Sequence, residues 1–147
     1  VPKDPRTQLR YPMLSPGPYC ELIQVYLTGL EGDTTIMGAD LLPQTCDASG
    51  AAHPGLIYSV CDTGVGAASG LFGKIGVTIS SAMTYFRPAV AGPLRVEVSA
   101  LRMGHIVAYF ETTARDADGA IVAQGRFSLH PKGNIIDLLP QGGPGHV

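Results

Sequence analysis

The strongest constraint on the fold is an apolar run over residues 52–68 that carries a single formal charge, the carboxylate of Asp62. Burying a charge among apolar groups is costly unless the charge is paired or serves a function. Pro54 stands near the start of the run and suits the first turn of a helix, because its fixed φ and missing N–H cost nothing there. The run therefore predicts a buried helix that carries one acid and ends around Gly73.

Helical spacing determines what surrounds this acid. At about 100° per residue, one stripe of the helix is small and polar and comprises Gly55, Ser59, Asp62, Gly66 and Ser69. The rest of the surface is apolar, so a sheet must wrap around the helix. Glycines weaken a helix interior. Four of them lie in or just after this segment and predict the close approach of another chain segment or a ligand: Gly64, Gly66, Gly70 and Gly73.

Composition excludes several functional classes. The 147 residues fit one domain. The net charge of −2, with 15% charged residues and no block of either sign, argues against nucleic-acid and membrane partners. Three cysteines without CxxC spacing favour a reducing cytoplasm, and no secretory signal or membrane span is expected. The histidines lack ligand spacing, so no metal site is predicted. No cofactor is predicted either.

The hydrophobic pattern predicts an α+β fold with three regions. Residues 1–18 form an extended N-terminal arm, residues 19–131 the folded domain, and residues 132–147 a Gly- and Pro-rich tail. Period-two alternation and turn residues predict strands on both sides of the helix. These strands cover residues 20–30, 34–42, 76–86, 94–103, 105–115 and 120–130.

Several short motifs occur in a recognisable order: Gly-Ala-Ala-His-Pro-Gly at 50–55, Asp62 nine residues after His53, the segment 77–89, Gly92, Gly104, and the segment 122–130. Over about residues 22–130 the chain resembles the hotdog-fold acyl-CoA thioesterases of the phenylacetate-pathway and mammalian small-thioesterase type. The resemblance implies a curved antiparallel sheet of about six strands around one long central helix. It also implies a homodimer or homotetramer that acts on an acyl thioester of CoA or of a carrier.

The resemblance assigns roles to matching residues. Asp62, from one subunit of a dimer, is the general base on water or the nucleophile. The start of the helix, with His53 and Gly55, polarises the thioester carbonyl. Two positions depart from the family pattern: His-Gly-Gly becomes His-Pro-Gly, which removes one backbone N–H, and a loop Asn becomes Asp47. The polar side chain on the following strand corresponds to Thr78.

Other candidates have ordinary structural explanations beside the functional ones. Asp62 could instead pair with an Arg of a partner subunit or accept N–H bonds, and His53 could simply cap or orient the start of the helix. The predicted substrate-binding residues are Leu56, Asp47, Ser59, Thr78 and Arg87. Of these, Asp47 has the surroundings of a turn residue, and Ser59 and Thr78 are common packing or hydrogen-bonding types. Leu56 can offer its amide as a second oxyanion donor. Arg87 could meet CoA phosphates or remain a solvated surface charge.

The sequence predicts thioester hydrolysis and leaves two alternatives. Pro54 and Asp47 change the site where it meets the carbonyl, which favours another reaction on the same scaffold, such as dehydration, isomerisation or carbon–carbon cleavage. The second alternative is a subunit that binds a ligand without catalysis.

Overall fold

A computed structural model describes residues 17–134. Two helices, α1 and α2, cover Gly17–Ile23 and Pro54–Leu71, and a short 3-10 turn covers Pro43–Thr45. The strands are β1 Val25–Glu31, β2 Thr34–Ala39, β3 Lys74–Tyr85, β4 Leu94–Met103, β5 Ala108–Arg115 and β6 Ile121–Asn134.

All six strands belong to one sheet in the order β1-β2-β4-β5-β6-β3. Each neighbouring pair is antiparallel. Helix α2 packs on one face and contacts every strand. The predicted α+β architecture, a single antiparallel sheet around one central helix, is confirmed. Strands β1 and β3 form the two edges.

The core lies between α2 and the inward-facing residues of the sheet. Val96, Val98 and Phe110 are fully buried and belong to one cluster with Val60 of α2. Gly64 allows the helix to approach the sheet: a Cβ at this position would lie 2.8 Å from Val98 Cγ2 and 2.9 Å from Met37 Cγ. A Cβ at Gly66 would meet nothing within 4 Å. The same is true of Gly73. The predicted close approach therefore holds for Gly64 and is wrong for Gly66 and Gly73.

Both ends of α2 follow from local chemistry. Pro54 occupies the first helical turn, as predicted, and His53 is the N-cap. The helix stops where Gly73 adopts a φ of 76°, a left-handed conformation that favours glycine. No helix within residues 17–134 combines the length and the apolar character needed to span a membrane.

The first predicted strand is partly wrong. Residues 20–23 belong to α1, and the strand begins only at Val25. Three observations account for the difference. The hydroxyl of Tyr19 lies within hydrogen-bond distance of Ser59 of α2, and the side chain of Ile23 is buried. Gln24 has a φ of 53°, which redirects the chain before β1. Of the predicted N-terminal arm, residues 17 and 18 lie in α1, and residues 1–16 lie outside the described part.

Several later boundaries also differ. Strand β2 ends at Ala39 instead of residue 42, and β3 begins at Lys74 instead of residue 76. Strand β5 begins at Ala108 instead of residue 105, because Gly104 N donates to Val107 O at 3.1 Å and closes a turn. Strand β6 continues to Asn134, which pairs with Lys74. The start of the predicted tail is therefore strand, and residues 135–147 lie outside the described part.

Candidate active site

Asp62 lies at the seam between α2 and β3. Thr78 Oγ1 of β3 donates a hydrogen bond of 2.7 Å to Asp62 Oδ1. The carboxylate belongs to a half-buried residue, and no basic side chain of residues 17–134 lies within ion-pair distance of it. Among the residues that the structure describes, a neutral hydroxyl therefore orients the carboxylate.

This seam is more polar than most contacts of α2 with the rest of the sheet. Thr78, Ser81 and Tyr85 of β3 carry hydroxyl groups on the side that faces α2, next to the apolar Met83. Strands β4, β5 and β6 present mainly Val, Phe and Leu on this side, with the buried Thr112 of β5 as a hydroxyl among them. Besides the Asp62 contact, Tyr85 Oη donates to Pro54 O at 3.2 Å, Tyr58 Oη lies 2.7 Å from Ser81 Oγ, and Ser69 Oγ donates to Lys74 O at 3.1 Å. Strand β3 thus offers hydrogen bonds along the whole helix.

His53 occupies the start of α2. Its Nδ1 accepts a hydrogen bond of 2.8 Å from Gly55 N, and its carbonyl accepts one of 2.8 Å from Leu56 N. Side-chain acceptance from the second helical amide is the usual way in which an N-cap residue satisfies a helix end. Pro54 has no N–H to offer. The amides of Gly55 and Leu56 are therefore engaged by His53 in this structure.

Ser59 connects α1 to the first turns of α2. Its Oγ donates to Gly55 O at 2.7 Å and lies 2.7 Å from Tyr19 Oη. The side chain of Leu56 is buried in the core. Both predicted substrate-binding residues thus help to fix the first two turns of the helix, and contact with a substrate stays a prediction for each.

Asp47 forms a turn in the loop before α2. Its Oδ1 accepts hydrogen bonds from Ser49 Oγ at 2.6 Å, Ser49 N at 2.8 Å and Ala51 N at 3.2 Å. The Ser49 hydroxyl, followed by the Ser49 amide, lowers the pKa of Asp47, so the carboxylate is ionised at neutral pH. Asp47 lines a surface cavity of about 650 Å³ that includes neither Asp62 nor Thr78.

Two further side chains have clear positions. Arg87 follows the end of β3 and is exposed, with its amide donating to Val122 O at 3.4 Å. Cys61, next to Asp62, points into the core, and burial raises the pKa of its thiol to about 11. A thiol that stays protonated at neutral pH is a poor nucleophile, so Cys61 has the properties of a structural core residue.

Sequence analysis missed the hydroxyls of Tyr19, Tyr58, Ser81 and Tyr85. A register shift between Thr78 and Ser80 places Ser81, instead of Ser80, on the side of β3 that faces α2. Strict alternation along β3 could not have found this, because one extra residue in a strand exchanges its two faces. Within residues 17–134 no group of three or more His, Cys, Asp or Glu side chains could hold a metal ion.

The sequence of the chain matches a known protein family. The family model described as thioesterase superfamily matches residues 49–123, just over half of the chain, including α2 and β3. No curated protein matches the sequence.

Solved structures share the fold at low sequence identity. The PaaI protein from the phenylacetic acid degradation operon of E. coli has a TM-score of 0.72 and 17% identity, covering 79% of this chain and 85% of that chain. A Haemophilus influenzae thioesterase has a TM-score of 0.74 and 16% identity, covering 85% and 87%. A Streptococcus mutans protein bound to acetyl CoA has a TM-score of 0.68 and 22% identity, covering 74% and 88%. The chain belongs to the thioesterase superfamily and has the hotdog fold.

Proposed function

We propose that the chain hydrolyses an acyl thioester of CoA or of an acyl carrier, with Asp62 as general base or nucleophile. The observation that carries this proposal is the hydrogen bond between Thr78 and Asp62, in a seam where no basic side chain of residues 17–134 pairs with the acid. A carboxylate fixed by one neutral donor is oriented and still basic. As general base, Asp62 takes a proton from water while the water oxygen bonds to the acyl carbon. The carbon–sulfur bond then breaks, and the thiol leaves with that proton.

The thioester carbonyl binds at the first turn of α2. The positive end of the helix dipole favours the negative charge that develops on the carbonyl oxygen. Gly55 and Leu56 are the nearest backbone donors of this turn, and each must turn from His53 to the substrate when the carbonyl arrives. In this role His53 holds the amides in place until the substrate binds.

Two copies of the chain complete one site. Asp62 follows Pro54 by eight residues, so the two ends of this segment are about 12 Å apart along the helix. A carbonyl at the start of one helix is thus out of reach of the acid on the same helix. Edge strand β3 has a single hydrogen-bonded neighbour, β6, among residues 17–134, and exposes 47% of Val77 and 55% of Ile79. Such an edge favours pairing with a second copy.

We propose a homodimer formed through β3, or a homotetramer of two such dimers. This pairing brings the acid of one subunit near the helix start of the other. It agrees with the arrangement that the family resemblance implies.

The proposed substrate is a CoA thioester. One solved structure of the same fold is described as bound to acetyl CoA and another, from Streptococcus pneumoniae, as a hypothetical thioesterase with coenzyme A. Arg87, exposed after the end of β3, is the candidate contact for the CoA phosphates. The cysteines Cys20, Cys46 and Cys61 form no disulfide, which supports a reducing, cytoplasmic location.

A second candidate function is ligand binding without hydrolysis, or a different reaction on the same scaffold. It is favoured by the missing N–H of Pro54 and by the engagement of Gly55 and Leu56 with His53. Loss of one oxyanion donor costs on the order of 10²–10³ in kcat in other enzymes. The two candidates therefore differ in whether thiol is released.

The test is thiol release from acetyl-, hexanoyl- and phenylacetyl-CoA, followed with a chromogenic thiol reagent, together with equilibrium binding of the same compounds. Hydrolysis predicts thiol release that is proportional to the amount of protein and saturates with substrate. Binding of these thioesters with no thiol release would support the second candidate. The absence of both binding and release would reject both.

A further inference from the structure

The start of α2 lacks an open backbone donor among the residues that the structure describes. Pro54 has no N–H. Gly55 N donates to His53 Nδ1 at 2.8 Å, and Leu56 N and Ile57 N both donate to His53 O, at 2.8 and 3.3 Å. An oxyanion site needs donors that point at the developing charge. A hydroxyl from another element is the natural replacement for the donor that Pro54 cannot supply.

Tyr85, the last residue of β3, places a hydroxyl at this turn. Its Oη donates to Pro54 O at 3.2 Å, which is long for a hydroxyl donor. In an α-helix the carbonyl of Pro54 also accepts from the amide four residues later, so it does not depend on Tyr85 for a partner. The hydroxyl can therefore leave Pro54 O at little cost.

Tyr85 is also accessible and remains a donor. The residue is 43% exposed, so a ligand at the helix start can reach its side chain. Partial burial of the side chain raises the pKa of Tyr85, and the electrostatic effects of the nearby Cys61 and Tyr58 raise it further. The hydroxyl thus keeps its proton at neutral pH. Tyr58, the other tyrosine of the seam, already has its hydroxyl 2.7 Å from Ser81 Oγ.

We infer that Tyr85 is a catalytic residue: its hydroxyl turns from Pro54 O to the acyl carbonyl oxygen and donates the hydrogen bond that the backbone at Pro54 cannot. This inference rests on the proposed function. The Gly55 amide provides a second donor when His53 releases it. Tyrosine hydroxyls serve as oxyanion donors in other enzymes, and no covalent bond to Tyr85 forms or breaks in this role.

A double-mutant cycle tests the replacement. The variants are Tyr85→Phe, Pro54→Gly and the combination of both, with Tyr109→Phe as the control. Tyr109 lies on β5, is 45% exposed and alternates with the buried Ala108 and Phe110, so it faces away from α2. Phe keeps the ring of Tyr85 in place and removes only the donor.

The expected loss of kcat for Tyr85→Phe is about 10²–10³-fold, the effect of one oxyanion donor, with Tyr109→Phe unchanged. Pro54→Gly restores a backbone N–H at the same turn, so Tyr85→Phe in that background should cost less than about tenfold. An equal loss in both backgrounds, or wild-type kcat in Tyr85→Phe, would overturn the inference.

A spectroscopic measurement separates this inference from the proposed function. The probe is phenylacetyl-CoA bound to the Asp62→Asn variant, and the readout is the infrared stretch of the thioester carbonyl. A donated hydrogen bond lowers this frequency. Adding Tyr85→Phe to the Asp62→Asn variant should raise the carbonyl stretching frequency towards that of the thioester in a solvent without hydrogen-bond donors. Adding Tyr109→Phe should leave the frequency unchanged.

Each result has a distinct meaning. A Tyr85-dependent stretch without thiol release by the wild type would reject hydrolysis and keep the donor role. Thiol release with a stretch indifferent to Tyr85 would reject the donor role and keep hydrolysis. Failure of the wild type to bind or hydrolyse any thioester of the panel would reject both.

Discussion

Thr78 Oγ1 donates a hydrogen bond of 2.7 Å to Asp62 Oδ1 and thereby joins the edge strand β3 to the central helix α2. The two residues are 16 positions apart in the chain, and the turn at Gly73 brings them together. This contact fixes one oxygen of the acid, and in the proposed reaction the carboxylate receives a proton from water. It links the packing of the fold to the proposed chemistry.

Removal of the Thr78 hydroxyl should therefore impair turnover. A hydrogen bond to a charged group contributes about 1.5–3 kcal/mol, so Thr78→Val is expected to lower kcat about 10- to 100-fold if the bond orients Asp62 for reaction. Thr78→Ser keeps the hydroxyl and should retain most of the activity. Steady-state kinetics with the best thioester of the panel measure both variants, and equal rates for Val and Ser at this position would refute the orienting role.

The N-cap of α2 gives a prediction for stability. His53→Ala removes the acceptor for Gly55 N and should lower the free energy of unfolding by about 1 kcal/mol. In His53→Asn the side-chain oxygen can accept a hydrogen bond from the same amide, so the free energy of unfolding should fall by at most a few tenths of a kcal/mol. Urea denaturation of the three proteins provides the comparison. If the His53→Ala variant is as stable as the His53→Asn variant, the imidazole does not cap the helix as the 2.8 Å contact indicates.

A pair of glycines in one helix provides a matched test of packing. Gly64→Ala would bring a methyl group within 3 Å of Met37 and Val98 and should destabilise the protein by about 1–3 kcal/mol. Gly66→Ala enters open space and should stabilise it by about 0.5–1 kcal/mol through helix propensity. Thermal and urea unfolding should show that the free energy of unfolding falls in Gly64→Ala and rises in Gly66→Ala. Changes of the same sign in the two variants would contradict the packing around these glycines.

The raised pKa of the Cys61 thiol leads us to expect that the folded protein loses stability at alkaline pH. Its folded-state pKa is raised from 9.0 to about 11, so the folded state retains the thiol proton over a range in which the unfolded state has lost it. The contribution to stability is complete below pH 9 and declines as the pH rises towards 11, by about 1.4 kcal/mol for each unit.

Other groups titrate in the same range, so the relevant measurement is the difference between the wild type and Cys61→Ala. The unfolding free energy of the wild type should fall more steeply than that of the variant from pH 9 upwards. Parallel curves would show that the thiol ionises alike in the folded and unfolded states.

Much of the fold is readable from local pattern because its elements are locally consistent. The apolar run around Asp62 begins at Pro54 and ends at Gly73, and the structure places α2 at Pro54–Leu71. Strand β4 matches its predicted bounds, Leu94–Met103, because Val96 and Val98 alternate with polar residues on a half-buried strand.

The errors arose where distant contacts override local pattern. Residues 20–23 have a strand-like composition, but they are helical in the structure, where Tyr19 contacts Ser59 and Ile23 is buried. Sequence spacing identified Asp62 and Thr78 as candidates, while Ser81 depended on a register shift that its neighbours do not encode. Tyr85 was missed because its partner, Pro54 O, is a backbone atom 31 positions away.

The most direct test of the account is the kcat of Asp62→Asn with an acyl-CoA that the wild type hydrolyses. Glu111→Gln serves as the control, because Glu111 lies on β5 and its exposed carboxylate is 3.6 Å from Arg126. Loss of a general base is expected to lower kcat about 10²–10⁴-fold, with Glu111→Gln at the wild-type rate. A folded Asp62→Asn protein that releases thiol as fast as the wild type would contradict the central role of this acid.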